Sequence, residues 1–506
     1  MLRFFKNYYL PLFAGILVSL SRLPLNLGWL VLIGLVPLLC FIDRREHRGF
    51  ERIIAGLLFS LVQIVLVFYW IASVTLGGLI GIWLIFGLYY SLVFWVLERA
   101  WHRMPGLRLL VVISVFVSFE FLQNFGQTRF PWWNLGYALT DYLSLLQALD
   151  LGGMTLLAIL ILTFNYLFFL LVRKRSRAIV WIIVIFAVWR FYGGYQLARL
   201  SHELELGRRE IPVAVMQPSI EQDDKWDEAL YRDILARYDV LGAEAAKQGV
   251  ELLIFPEAAI PDYLMIKPDI QNDLNQLMLK HQISIFTGFP HAEMAARDHP
   301  MPYLSYNAAA LFSPDGSVSE MYYKNILVPV GERMLWLEHF PFLWSWEFGQ
   351  ANWEFGTQIP RYGFQDLSFS PSICYELAFP HFYQQANFED SNGVSAKADF
   401  HVNITNDAWF GTSYGPWLHA TMTKYRAIES RMQFYRSANT GISMIVDPLG
   451  REIVSTDLFE VCNVTAPLYS TPKVPLYHRI HRYPWIFVAL SLILFGLSFG
   501  FPRRAS

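Results

Sequence analysis

Residues 368–380 read SFSPSICYELAFP. The segment DLSFSPSI (366–373) has the length and composition of a strand, and Cys374 stands at its end. Free cysteine is among the most buried residue types, so this stretch alone leaves two readings open. Cys374 is either a small hydrophobe closing the strand or a nucleophile placed where a strand ends. Outward from it, IPVAVMQ (211–217), VELLIFPE (250–257), ISIFTGF (283–289), SYNAAALF (305–312), HVNITND (401–407) and ISMIVDP (442–448) also read as strands. Amphipathic stretches at 226–248, 269–282 and 419–437 lie between them and predict helices. SPDGS (313–317) and DPLGR (447–451) mark hairpin turns. Strands interleaved with helices and hairpins predict a layered α/β domain with mixed sheets over residues 206–475.

Composition sets the rest of the chain apart from that domain. Its 506 residues are 54% hydrophobic and 16% charged, with a mean hydropathy of +0.33, which is apolar for a soluble protein. The excess lies in residues 1–200 and 483–501, so a membrane protein with one normal globular part is expected. Candidate spans fall near 9–25, 27–42, 53–72, 77–97, 107–125, 153–172 and 178–196, with an eighth near 483–501. Basic residues precede the first (Arg3, Lys6) and follow the second, fourth, sixth and eighth, where Arg44, Arg103, Arg173 and Arg503 stand. By the positive-inside rule this alternation puts both termini in the cytoplasm and residues 206–475 across the membrane. The loop GQTRFPWWNLGY (126–137) then faces outward. Its Trp132 and Trp133 read either as an interfacial belt or as aromatics beside acyl chains, with Arg129 near a lipid phosphate.

A net charge of −2 without a concentrated basic surface argues against a nucleic-acid partner. The three cysteines, Cys40, Cys374 and Cys462, form no CxxC or Cys/His ligand spacing, so neither a structural zinc nor a disulfide scaffold is expected. Cys374 and Cys462 are expected to remain unbridged. A transporter would need a path of intramembrane charges, and apart from Glu120 the spans are nearly free of acids.

Polar residues cluster at the ends of the predicted strands. Glu257 follows the apolar run VELLIFP, and a carboxylate there is costly to bury unpaired. Lys324 follows two tyrosines after a hairpin, in apolar surroundings. Each reads singly as a solvated loop or strand-end charge. Together with Cys374 they supply a base for a thiol and a positive charge for a developing oxyanion.

Glu in an FPE context, Lys after paired aromatics and Cys in a CYE context resemble the nitrilase superfamily, which carries a Glu-Lys-Cys triad. The added spans and PWWNLGY (131–137) resemble one membrane-embedded branch, the apolipoprotein N-acyltransferases. The likeness is strongest at PSIEQDDKWD (218–227), FPEAAIPDY (255–263), YYKNILVPVGER (322–333), SICYE (372–376) and NITNDAWFG (403–411). It implies an α-helical membrane domain of eight transmembrane helices plus an extramembrane α/β nitrilase-like α-β-β-α sandwich. Seven helices would lie in residues 1–200, the catalytic domain in 206–475 and the eighth helix in 483–501.

By the same resemblance Cys374 is the nucleophile, Glu257 the general base and Lys324 the stabiliser of the tetrahedral intermediate. Glu332 would orient the lysine and glutamate, while Glu376 and Tyr375 would support the nucleophile. Trp226 would sit on an arm covering the acyl chain, and the aromatic segment 338–356 reads either as a lid or as packing over the core. The implied reaction moves the sn-1 acyl chain of a phospholipid, expected to be phosphatidylethanolamine, through a Cys thioester. The acceptor is the α-amine of an N-terminal S-diacylglyceryl-cysteine on an apolipoprotein. Residues 206–475 would lie in the periplasm against a bacterial inner membrane. No metal or diffusible cofactor is implied, and a monomer is expected. A membrane-tethered amidase or nitrilase-type hydrolase would use the same triad.

Overall fold

A computed structural model describes residues 2–297, 301–345, 351–389, 393 and 395–501. Arg503, Arg504 and residues 346–350 of the aromatic segment lie outside the described residues. The chain divides into two compact units. The first comprises Met1–Gly126, Phe130–Arg199 and Pro475–Ser506, and the second Gln127–Arg129 and Leu200–Val474.

The first unit is helical. Among the described residues, five helices are long and apolar enough to cross a membrane: Gly49–Leu66, Leu76–Arg103, Pro105–Leu122, Leu149–Val172 and Ala178–Leu206. The eight-helix bundle expected from the sequence is therefore corrected to five qualifying helices. The expected span 27–42 breaks into a 3₁₀ turn, Gly28–Leu32, and a nine-residue helix, Val36–Arg44, with Pro37 in its first turn. The first helix, Leu2–Leu20, carries Pro11 inside it, and the apolar helix Pro484–Leu497 is too short. Fourteen residues rise about 21 Å, against a hydrocarbon core of about 30 Å. Hydropathy windows run past the prolines that start these elements and the turns that bound them.

The second unit carries the strands β1 (Arg208–Arg209), β2 (Val213–Gln217), β3 (Leu252–Ile254), β4 (Ser284–Met294), β5 (Tyr303–Phe312), β6 (Tyr322–Tyr323), β7 (Tyr362–Phe364), β8 (Leu367–Ile373), β9 (Phe400–Thr405), β10 (Gln433–Ala438), β11 (Met444–Val446), β12 (Glu452–Ser455), β13 (Cys462–Thr465) and β14 (Leu468–Tyr469). One six-stranded sheet has the order β13-β2-β3-β4-β5-β6, another the order β12-β11-β10-β9-β8-β7, and β1 pairs with β14 apart from both. Each large sheet holds three parallel strands, β2-β3-β4 in one and β8-β9-β10 in the other, with antiparallel neighbours outside them. Both sheets are open and mixed, and neither closes on itself. This corrects the expected α-β-β-α sandwich, because hairpin strands such as β11 and β12 extend the parallel cores into antiparallel edges.

Side chains of the two sheets meet. Phe286 of β4 lies with its ring centroid 5.2 Å from Tyr362 and 5.3 Å from Phe369. Helices Tyr231–Lys247 and Pro268–His281 cover the β2-β3-β4 side, burying Ile234, Tyr238, Leu241, Leu274 and Met278 against Ala214, Met216, Leu253, Phe255 and Ile285. Of the parallel strands, β2, β3, β9 and β10 run continuously buried, as strands covered on both faces must.

Phe369 is fully buried and touches Phe286, Tyr362 and Phe400. Phe369→Ala should cost about 3–5 kcal/mol of stability through the cavity it leaves. A thermal-unfolding scan showing an unchanged transition would contradict this packing.

Candidate active site

The site grows from the carboxyl ends of parallel strands, where open α/β sheets place their ligands. Beyond β3 the chain passes Phe255 and Pro256 to Glu257, and beyond β8 it turns directly at Cys374. Lys324 follows β6, and Asn406 and Asp407 follow β9. The topology thus converges residues that lie far apart in sequence.

Glu257 is 6% exposed, and each of its carboxylate oxygens has a donor. Oε1 accepts from Asn307 Nδ2 at 2.7 Å and from Lys324 Nζ at 3.2 Å, while Oε2 accepts from the Asn406 amide at 2.9 Å. Lys324, 1% exposed, also donates to Glu332 Oε1 at 2.8 Å. The Val328 amide donates to Glu332 Oε2 at 2.7 Å. Burial opposes charge on Lys324, but Glu257 and Glu332 outweigh it and hold its pKa well above the usual lysine value. Burial pushes Glu332 upward; Lys324 pulls it down, and Glu257 adds like charge.

Cys374 adopts φ +50° at the start of the short 3₁₀ turn Cys374–Ala378, is half-buried, and is a free thiol. Burial first, then the Glu257 carboxylate, pushes its pKa up, and Lys324 opposes them. At rest the group is a protonated thiol in electrostatic reach of both Glu257 and Lys324.

Glu376 is fully buried and accepts from the amides of Ile373 (2.6 Å), Asn325 (2.6 Å) and Ile326 (3.1 Å) and from the Tyr322 hydroxyl (2.6 Å). It ties the turn after Cys374 to the segment after Lys324. The Tyr375 hydroxyl donates to the Arg129 carbonyl at 2.7 Å. Arg129 itself lines a shallow cleft together with Leu327, Val328, Arg333, Met334 and Phe355. Trp226 is 48% exposed and follows the short helix Gln222–Lys225. That helix is anchored to the site: Lys225 Nζ donates to the Glu257 carbonyl at 2.8 Å, and Gln222 accepts from Asn406 at 2.8 Å. Burial lowers the pKa of Lys225 to about 8. Trp132 and Trp133 belong to the helical unit, where they are buried against Trp70, Phe68 and Phe86.

Sequence reading missed Asn307, Lys225, Asn406, Asp407 and His419. Asn307 sits inside a strand, where nothing in YNAAAL separates it from a solvent-facing position. The run NITND (403–407) carried a usable signal, three polar residues leaving a buried strand. Ligand-type atoms of Cys374, Asp407 and His419 lie within 4.8 Å of one another. Both ring nitrogens of His419 and both carboxylate oxygens of Asp407 are already engaged, however, and Arg436 sets a guanidinium on Asp407 at 2.7 Å, which disfavours a cation there.

Burial raises the Glu376 pKa to about 7, above its unfolded value near 4.5, so the folded state binds the extra proton. Its contribution to stability is full below the unfolded value and is lost as pH rises through about 7. The gap in melting temperature between wild type and Glu376→Gln should therefore be largest near pH 5 and narrow by pH 8. A gap that widens with pH would mean that the ionised form is the better held.

The family model described as carbon-nitrogen hydrolase matches residues 212–469, and that described as apolipoprotein N-acyltransferase N-terminal domain matches residues 14–167. The apolipoprotein N-acyltransferase of Chlorobaculum tepidum is 30% identical, covering 94% of this chain and 92% of its own. That of Geobacter metallireducens is 29% identical over 99% of this chain and 96% of its own. Among solved structures, an amidase from Nesterenkonia sp. AN1 aligns with 54% of this chain and 98% of its own at 17% identity and a TM-score of 0.38. The chain belongs to the apolipoprotein N-acyltransferase family, bacterial membrane enzymes whose catalytic part is of the carbon-nitrogen hydrolase type.

Proposed function

We propose that this enzyme transfers the sn-1 acyl chain of a phospholipid, phosphatidylethanolamine foremost, to the α-amine of an N-terminal S-diacylglyceryl-cysteine. The observation that carries this reading is the buried contact of Lys324 Nζ with Glu257 at 3.2 Å and with Glu332 at 2.8 Å, in electrostatic reach of Cys374. Glu257 takes the thiol proton as Cys374 Sγ attacks the ester carbonyl, because a thiol whose pKa is raised needs a base at the moment of attack. Lys324 faces the oxyanion. Collapse breaks the ester C–O bond, Glu257 returns its proton to the leaving oxygen, and a lysophospholipid departs. The S-acyl enzyme is then attacked by the neutral amine; an α-amine pKa of about 8 leaves a usable fraction near neutral pH. Glu257 accepts the amine proton, the thioester breaks, and Cys374 recovers its thiol.

Glu332 and Glu376 position these groups, Glu332 by holding Lys324 and Glu376 by tying the Cys374 turn to the Lys324 segment. Tyr375 fixes the backbone of Arg129, which we assign to a lipid phosphate at the cleft it lines. Trp226, on its anchored arm, covers the acyl chain. Trp132 and Trp133 act on the lipid side by anchoring the segment next to Arg129. Arg44, Arg103 and Arg173 stand at the same side of the five long helices, which supports a cytoplasmic position for that side and a periplasmic one for the catalytic unit.

Incubation of the detergent-purified enzyme with phospholipid should add the mass of one acyl group to Cys374, and a diacylglyceryl peptide should then remove it. Cys374→Ala should show neither event; N-acylation by that variant would overturn the mechanism. If wild type releases only free fatty acid, the enzyme is a hydrolase. A periplasm-active reporter placed in the loop 313–317 should be active in cells, and an inactive one would invert the orientation.

A further inference from the structure

Cys374 holds φ +50°, a conformation that a non-glycine residue keeps only where its surroundings fix it. The fixing group is specific. The Cys374 carbonyl oxygen accepts from Nε2 of His419 at 3.1 Å. A carbonyl can only accept, so Nε2 carries a proton. The other ring nitrogen, Nδ1, faces Asp407 Oδ1 at 2.9 Å and Arg436 Nη2 at 3.2 Å. Arg436 donates in turn to Asp407 Oδ2 at 2.7 Å and to Asn403 Oδ1 at 2.7 Å. His419 and Asp407 are each 1% exposed and Arg436 is fully buried. Three elements therefore grip one ring: the end of β9 through Asp407, β10 through Arg436, and helix Gly415–Ser430 through His419 itself.

We infer that His419, locked by Asp407 and Arg436, is a positioning residue for the nucleophile: it holds the Cys374 carbonyl and so keeps the strand-end turn in the left-handed conformation that presents Sγ to Glu257 and Lys324. The inference rests on Cys374 being the nucleophile. His419 itself forms no bond to substrate and takes no proton from the thiol in this scheme. Its effect is on the geometry of attack, and misplacement of a reacting atom costs rate rather than affinity.

The test uses the full-length enzyme in detergent, with phosphatidylethanolamine as donor and the rate of S-acylation read by intact mass. His419→Ala should lower kcat for acylation by about ten- to a hundredfold while the donor KM stays unchanged. His419→Gln should recover most of the loss, because its amide N–H can donate to the same carbonyl. Gly441→Ala tests the lock from its other side, since a Cβ there would stand 2.5 Å from Asp407 Oδ2; it should lower kcat with His419 intact. All variants are first matched by thermal unfolding, and if His419→Ala does not fold, the glutamine and Gly441 variants decide. Wild-type acylation by His419→Ala, a loss carried by KM, a glutamine variant no better than alanine, or a silent Gly441→Ala would each overturn the inference. Acyl transfer surviving in Cys374→Ala would instead overturn the assignment of the nucleophile, whatever the His419 variants show.

Discussion

The second unit is organised around one buried ammonium group. Lys324 Nζ lies with almost no exposure between the carboxylates of Glu257 and Glu332. Removing such a charge from water costs several kcal/mol, and mutual attraction repays it only when geometry and further hydrogen bonds are good. Here Asn307 and the amides of Val328 and Asn406 occupy the remaining carboxylate positions. Loss of one partner in such an arrangement costs about 3–5 kcal/mol, because the others are left buried and uncompensated. The cluster therefore constrains the loops after β3, β6 and β9 to a single mutual arrangement.

Topology brings those loops together. Each large sheet contributes a parallel triple, and parallel strands put their carboxyl ends on one edge. Glu257 leaves one triple, while Cys374 and Asp407 leave the other. The sheets are held in register at the contact itself, where the Ser437 hydroxyl of β10 lies 2.8 Å from the Met216 carbonyl of β2 and 3.1 Å from that of Ile254 in β3. The antiparallel hairpins outside the triples do different work. One of them delivers Lys324 from β6, a strand too short to be placed by its own ladder, and the pairing of Ala308 with Tyr323 sets its register.

Sequence was most legible where periodicity and polarity coincide. The strands around Val213–Gln217, Leu252–Ile254 and Phe400–Thr405 follow from branched apolar runs, and Glu257, Lys324 and Cys374 stand out as polar groups at the ends of such runs. The span count was less legible, because hydropathy registers composition but not where a helix stops. Pro37 and Pro484 set helix starts, and 3₁₀ turns at Gly28–Leu32 consume residues that a window counts as helix. Asn307, Lys225 and His419 were illegible for another reason. Their importance lies in partners 50, 32 and 45 positions away, which only the fold reveals.

The same charge inventory explains how the proposed acyl transfer can run inside a poorly solvated site. In the proposed resting state Glu257, 3.2 Å from Lys324 Nζ, is the carboxylate that will take the proton, and Cys374 is a neutral thiol. On attack Glu257 becomes neutral as the oxyanion appears, so the charge moves past a fixed cation without any new net charge being buried. A thiolate held permanently by a low pKa would instead need its own compensation in the resting enzyme, beside a carboxylate that repels it. The raised thiol pKa is thus compatible with nucleophilic function provided base, cation and sulfur keep one geometry. That condition places the demand on positioning, which in this fold is met by backbone turns and buried polar networks and not by the reactivity of the cysteine itself.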